Sequence, residues 1–298
     1  MHRVSKQPER SIEMALTINT NLSSMIVQSN LAKSTNQLNQ AIERMTTGYK
    51  INHAADNAAG YSIARNWEAQ LGSLDVAADN AATGADMLST LEDNYALVSS
   101  HIQRVRDLTE QAANGTYGSQ SLKAIQSEIK ARLEEVDRIA ANCEFSGQNM
   151  MDGSMSSIAL QVGTDGNAAK SQITLKDDLF AKGDVKSLFG IEADDLAKKC
   201  AGLEDGTAAS SMLAGIDTVI NTISDRVTTL GAAQNRIESA IESIGVQSEN
   251  ITSSLSTLRD AEVAEESSNY IKAQILQHAS ATLLATANQT PSIALNLL

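Results

Sequence analysis

From Ile216 to Leu258 apolar side chains recur at alternating steps of four and three: Ile216, Ile220, Ile223, Val227, Leu230, Gln234, Ile237, Ile241, Ile244, Ser248, Ile251, Leu255 and Leu258. Only Gln234 and Ser248 break the apolar rule. Such a repeat draws a continuous apolar stripe along one face of a long helix, and that stripe needs other helices to cover it. Asp225, Arg226, Arg236 and Glu238 fall off the stripe, as a solvated face requires. The chain holds two prolines, Pro8 and Pro291, so nothing between them obliges a helix to stop. It is 42% apolar but only 3% aromatic, which favours thin packing of Leu, Ile, Val and Ala over a bulky globular core.

A second seam runs through Leu88, Leu91, Tyr95, Val98, Ile102, Val105, Thr109 and Ala112, and Asn114-Gly115 is expected to end it as a helix C-cap. A third helix follows, with Leu122, Ile125, Ile129, Leu133, Val136 and Ala140 on one face. Three such stripes can bury one another, which predicts a rod-like bundle. Between 145 and 210 glycines rise and the heptads vanish. Ile158, Leu160 and Val162 alternate with polar residues, as do Ile173 and Leu175, with GTDGNAAKSQ between them; this predicts a hairpin of two short strands. Residues 205–211, DGTAASS, read as a linker into the long helix. The expected fold class is mainly α: a long coiled-coil-like bundle with a small β-hairpin region.

The two ends differ. Residues 14–32 and 273–298 contain no Asp, Glu, Lys or Arg. Each end nevertheless has a helical apolar stripe: Leu31, Leu38, Ile42 and Met45 in one, and Ile271, Ile275, Thr282 and Ala285 in the other, where Leu283 and Leu284 are further candidates for burial. They are too rich in Asn, Ser, Gln and Thr to enter a bilayer. Ordering roughly 35 residues costs on the order of 50 kcal/mol, at about 1.5 kcal/mol per residue. Offsetting that by apolar burial takes about 2,000 Å² at about 25 cal/mol per Å². One thin arm on a monomer lacks that much partner surface, whereas many packed copies supply it. Both ends are therefore expected to be disordered alone and to order on assembly.

Several function classes are disfavoured. A formal charge of −13 gives no general attraction to phosphates, and no basic patch with interleaved aromatics appears. No run of 18 apolar residues is present, so no membrane span is expected. The first 13 residues, MHRVSKQPERSIE, lack the apolar core of a cleavable signal peptide. Cys143 and Cys200 stand apart without ligand spacing and read as small buried side chains. His2, His53, His101 and His278 form no motif, and no nucleophile elbow or phosphate-binding glycine loop is present. Asp177-Asp178 and Asp194-Asp195 read as solvated turn charges, and Trp67 and Tyr95 as core or interface aromatics. No catalytic residue, metal or cofactor is expected.

The stretch 44-RMTTGYKINHAADNAAGYSIA-64 resembles the N-terminal signature of bacterial flagellins, R-L-S-S-G-x-R-I-N-x-A-x-D-D-A-A-G-x-x-I-A. The segments 14-MALTINTNLSSM-25, 103-QRVRDLTEQAANGT-116, 145-FSGQNMMDG-153, 160-LQVGTDG-166 and 283-LLATANQTPSIALNLL-298 are similar to that family in the same order. His53, Ala55, Asn57 and Tyr61 depart from the signature; they alter the surface of the turn and leave its frame. Residues 1–13 have no counterpart and read as an upstream extension or misread start before Met14.

The resemblance implies a structural subunit of the bacterial flagellar filament, with a hook–filament junction protein as the alternative. It divides the chain into paired terminal helices of an inner tube (14–55 and 259–298), a helical rod (56–144 and 211–258) and a short hairpin and loop region (145–210), without large variable outer domains. It assigns polymerisation contacts to the terminal stripes, including Leu283 and Leu284. It makes 44–64 a connector in which Gly48 and Asn52 supply turn geometry, Asp56 caps the next helix, and Ala58, Ala59 and Gly60 allow close packing. Implied partners are further copies of the chain, flagellar cap and hook-associated proteins and an export chaperone. Export is by the flagellar type III route to an extracellular filament. In flagellins read by Toll-like receptor 5, the recognised surface matches Arg104 and Leu108 here, with Glu128 on the next helix.

Overall fold

The computed structural model describes residues 20–176, 179–203 and 209–295, the last six by backbone alone. The expectations for residues 1–19, Asp177-Asp178, most of the 205–211 linker and the extreme C-terminus lie outside the described residues. Among those described, eight helices dominate and two small antiparallel hairpins interrupt them. In order they are α1 (Leu22–Thr47), α2 (Ala58–Ala113), α3 (Ser119–Asn142), β1 (Glu144–Phe145), β2 (Gln148–Asn149), β3 (Ser157–Gln161), α4 (Ala168–Ser171), β4 (Gln172–Lys176), α5 (Val185–Phe189), α6 (Ala193–Cys200), α7 (Ala209–Arg259) and α8 (Val263–Leu295). The chain divides into two compact units, one of residues 1–67 with 253–298 and one of residues 68–252. Both boundaries fall inside a helix, α2 and α7 respectively.

The second unit is built on the seams read from the sequence. Leu88, Leu91, Tyr95, Val98, Ile102, Val105 and Thr109 of α2 are all fully buried. The same alternation continues backward through Gly84, Ala81, Ala77 and Leu74, also buried, where small side chains hide it from a count of apolar residues. Ile125, Ile129, Leu133, Val136 and Ala140 of α3 join this core. In α7 every seventh residue, Ile216, Ile223, Leu230, Ile237 and Ile244, is buried. Val219 and Ala233 are buried beside them, whereas Ile220, Val227 and Gln234 are only half-buried. A helix covered by more than one neighbour buries more than two positions per heptad, which widens the stripe. Gln234 is accommodated at its edge, where its Nε2 donates to Glu92 at 2.8 Å.

The predicted hairpin forms, with Ile158 opposite Leu175 and Leu160 opposite Ile173. It lies on α2 at Gly84, where an added Cβ would collide with Leu160 Cδ1. Two local expectations gain detail and one is corrected: α2 does stop before Asn114-Gly115, the 145–210 region holds more than one hairpin, and Asp194-Asp195 lie on a helix instead of in a turn. Gly115 is not in the left-handed region; α2 ends at Ala113 and the Asn114 amide turns back to the Gln111 carbonyl at 3.2 Å. The 145–210 region holds a second hairpin, β1–β2, closed by Ser146 and Gly147 at positive φ, the paired geometry of a tight turn. It also holds the short helices α5 and α6, of which α6 places Asp194 2.6 Å from Lys130 of α3.

Candidate functional site

In the first unit α1 and α8 run antiparallel. The Asn21 side chain caps α1 by accepting from the Ser24 amide at 3.0 Å and reaches across to donate to the Ala287 carbonyl at 2.7 Å. Ser24 donates to Asn288 at 2.8 Å, and Gln277 donates to Thr35 at 3.2 Å. At the other end of the pair, Arg44 Nη1 lies 3.0 Å from Glu266 Oε1. The buried residues of the interface are small or charged: Ser34, Ala41, Ala273 and Glu266. Small side chains let the helices approach until Cα atoms lie within 8 Å of each other across the pair.

This arrangement divides the terminal candidates. Leu31, Leu38 and Leu284 are half-buried. Ile42 and Met45 are 44% and 39% exposed, and Ile271, Ile275 and Leu283 are 53%, 62% and 58% exposed. Leu22, Met25, Ile26, Val263 and Leu276 are exposed as well. Most of the large apolar side chains of the pair thus stay exposed, and only Leu31, Leu38 and Leu284 are partly covered. Contiguous exposed apolar surface on a folded protein marks a binding face. Counting hydrophobic periodicity finds these stripes but misses Ser34, Ala41, Ala273 and Glu266, because only a partner backbone explains their burial.

The connector is built from paired turns. Gly48 ends α1 in the left-handed region, φ 75°, and its amide donates to the Arg44 carbonyl at 2.9 Å. Its carbonyl accepts from the Ala261 amide at 2.8 Å, and the Lys50 amide donates to the Arg259 carbonyl at 2.7 Å, so 48–50 and 259–261 bridge in antiparallel fashion around Tyr49 and Asp260. The Arg259 guanidinium stacks 3.9 Å from the centre of the Tyr49 ring. Lys50 Nζ donates to the Thr257 carbonyl at 2.9 Å, close to the end of α7. Asn52 donates through its side chain to the Tyr49 carbonyl at 3.0 Å.

Asp56 is not the cap of α2. Its Oδ2 accepts from the amides of Asn52 and His53 at 3.1 and 3.0 Å, and its Oδ1 accepts from Gln40 at 3.2 Å. The His53 amide, first among these donors, holds the Asp56 carboxyl below its usual value. The cap is Asn57, whose Oδ1 accepts from the Gly60 amide at 2.9 Å. Either residue fits an Asx turn by type, and only the backbone path selects between them. Gly60 is buried and leaves no room for a side chain, since an added Cβ would stand 2.9 Å from Ile51 Cδ1, whereas Ala58 and Ala59 are exposed. Trp67 is half-buried and lines an open depression of about 730 Å³ with Arg44, Lys50, Ile51 and Leu258.

In the second unit Arg104 of α2 and Glu128 of α3 pair at 2.9 Å, with side chains 47% and 39% exposed. Leu108 does not share that surface: it is 2% exposed and packs in the core cluster. Cys143 and Cys200 are free and buried, and burial pushes the Cys143 thiol up to about 11. Among the described residues no group of three His, Cys, Asp or Glu side chains could hold a metal ion, and no helix is long and apolar enough to cross a membrane.

Comparison with known proteins agrees with this geometry. The family models for the bacterial flagellin N-terminal helical region and C-terminal helical region match residues 18–156 and 213–298. A flagellin of Halalkalibacterium halodurans is 34% identical over 284 residues, covering 95% of this chain and 100% of that one. A flagellin of Bacillus subtilis is 31% identical over 306 residues, with 95% and 100% covered. A solved Vibrio parahaemolyticus protein described as flagellar hook-associated superposes with a TM-score of 0.58 at 14% identity, over 69% of this chain and 100% of that one, a likeness of fold alone. The chain belongs to the bacterial flagellin family.

Proposed function

We propose that this chain polymerises as the structural subunit of a bacterial flagellar filament, an extracellular appendage, and that its contacts with further copies are made by the outward apolar faces of α1 and α8. One observation carries the reading. The α1–α8 pair fully buries only small and paired charged groups and half-buries Leu31, Leu38 and Leu284, while Ile271, Ile275 and Leu283 among its large side chains are left exposed. A lone chain gains nothing from that arrangement, and a second copy does. The terminal segments order as copies add, because assembly supplies the apolar area that a monomer lacks. Export through the flagellar type III route, handling by a chaperone and addition beneath a cap beside hook-associated proteins follow from the same reading. The connector is then a rigid splice holding the terminal pair, with no catalytic task.

The test is seeded growth. The full chain, held as monomer, is added to short filament seeds beside a version lacking residues 271–298, and both are viewed by negative-stain electron microscopy. Long filaments from the first and none from the second are expected. Growth from both sinks the role given to α8, and growth from neither sinks the filament reading.

A second expectation concerns Toll-like receptor 5. The exposed Arg104–Glu128 pair is the feature that supports recognition of the monomer, with Leu108 acting from beneath as packing. Arg104→Ala is expected to weaken receptor signalling, and an unchanged response refutes it.

A further inference from the structure

The interface between α1 and α8 is permissive. Ser34, Ala41 and Ala273 are small, Leu31, Leu38 and Leu284 beside them are only half-buried, and the amide contacts Gln277–Thr35 and Asn21–Ala287 are of a kind that other alignments reproduce. Apolar packing of this sort does not by itself fix how far one helix slides along the other. One contact is different in kind. Glu266 is 6% exposed, and its carboxylate meets Arg44 Nη1 at 3.0 Å with side-chain exposures of 8% and 25%. The adjacent acid, Glu43, is already engaged by His53 Nε2 at 2.8 Å. Sliding α8 by one turn in either direction sets Glu266 opposite Gln40 or Gly48, neither of them a cation. Either one-turn slip therefore leaves the carboxylate without its partner, which costs far more than an exposed pair yields. A single buried polar contact that selects one alignment at little net gain in stability is a known device of paired helices.

The alignment matters because both helices carry exposed apolar side chains. Leu22, Met25 and Ile26 come from α1, and Ile271, Ile275 and Leu283 from α8. A slip of one turn moves one set along the other by about 5.4 Å, which changes the surface the two helices offer together. We propose that the Arg44–Glu266 ion pair is a register lock that selects the one alignment of α1 and α8 able to present this surface to a second copy of the chain. The inference rests on the polymerisation reading above and adds the residues that make it specific.

The test uses the full chain with Ser24→Cys and Asn288→Cys, positions whose side chains meet at 2.8 Å. Their disulfide reports register, and peptide mapping separates it from the buried Cys143 and Cys200. In this background Arg44→Glu and Glu266→Arg are each expected to slow seeded growth by about tenfold or more and to lose the crosslink. The swap Arg44→Glu with Glu266→Arg is expected to restore both. The apolar pair Arg44→Met with Glu266→Met is expected to keep the helices paired but to lose the single crosslinked alignment. A swap no better than the single changes overturns the proposal. So does an apolar pair that grows and crosslinks like the unaltered chain, because packing alone would then set the register. Failure of the unaltered chain to grow on seeds sinks the polymerisation reading instead, so the two failures are distinguishable.

Discussion

At the scale of single residues, the chain shows how one side chain is assigned its role by a few ångströms of backbone. Asp56 and Asn57 are neighbours of similar shape and accepting power, yet one closes the connector turn and the other caps α2. Asp137 is a residue working against itself. Burial raises its carboxyl above the ordinary value, nearby Asp184, Glu192 and Glu134 add to this, and the bond from the Val185 amide at 2.7 Å only partly opposes it. Between the ordinary carboxyl value and the raised one, its folded form therefore holds a proton that the unfolded chain has released. Stability from this group falls as pH rises from the ordinary carboxyl value through the raised one, and the whole penalty is present above it. An asparagine side chain in its place would still accept from the Val185 amide without the charge. Asp137→Asn is thus expected to raise the thermal midpoint at neutral pH, with the gain vanishing below the ordinary carboxyl value. Melting curves across pH decide it, and a lower midpoint at neutral pH would show that the carboxylate is stabilising.

At the scale of elements, α2, α3 and α7 were legible because their buried residues are both apolar and periodic. Legibility fails where a buried position is filled by a small residue, as at Ala77, Ala81 and Gly84, or where an element is too short to show a period, as in β1–β2, α5 and α6. The two-residue strands of the first hairpin carry no alternation at all, and their turn depends on positive φ at Ser146, which a β-turn admits but a sequence count does not announce. Gly245 offers an element-level test. It lies inside α7, and an added Cβ meets nothing within 4 Å. Gly245→Ala is expected to stabilise the monomer by about 1 kcal/mol through helix propensity, raising the thermal midpoint by about 2–4 °C. Seeded growth of the same variant reads a second quantity. If growth stalls while the midpoint rises, the open space at Gly245 is where another copy approaches.

At the scale of the molecule, the uncharged ends and the outward apolar faces of α1 and α8 point to a chain whose structure is finished by its copies. Amide exchange measures this directly. In a proven monomer the amides of α1 and α8 are expected to exchange rapidly beside a protected α2–α3–α7 core, and to become protected in the filament. Strong protection of both helices in the monomer would mean that their pairing alone overcomes the ordering entropy, against the coupled folding proposed here.

The sequence by itself determined that the chain is mainly helical, which faces of α2, α3 and α7 are buried, where the β3–β4 hairpin lies, and that the ends carry apolar stripes without charge. Periodicity records that a face will be covered, and heptads record it well because each buried position repeats. What covers a face is a matter of distance between segments remote in the chain. The tertiary structure alone decided that α1 and α8 meet through Ser34, Ala41 and Ala273, that Arg44 answers Glu266, and that Ile271, Ile275 and Leu283 turn outward. Those outcomes depend on how closely two backbones approach, a quantity set by the smallest side chains and therefore nearly silent in a pattern read from the largest.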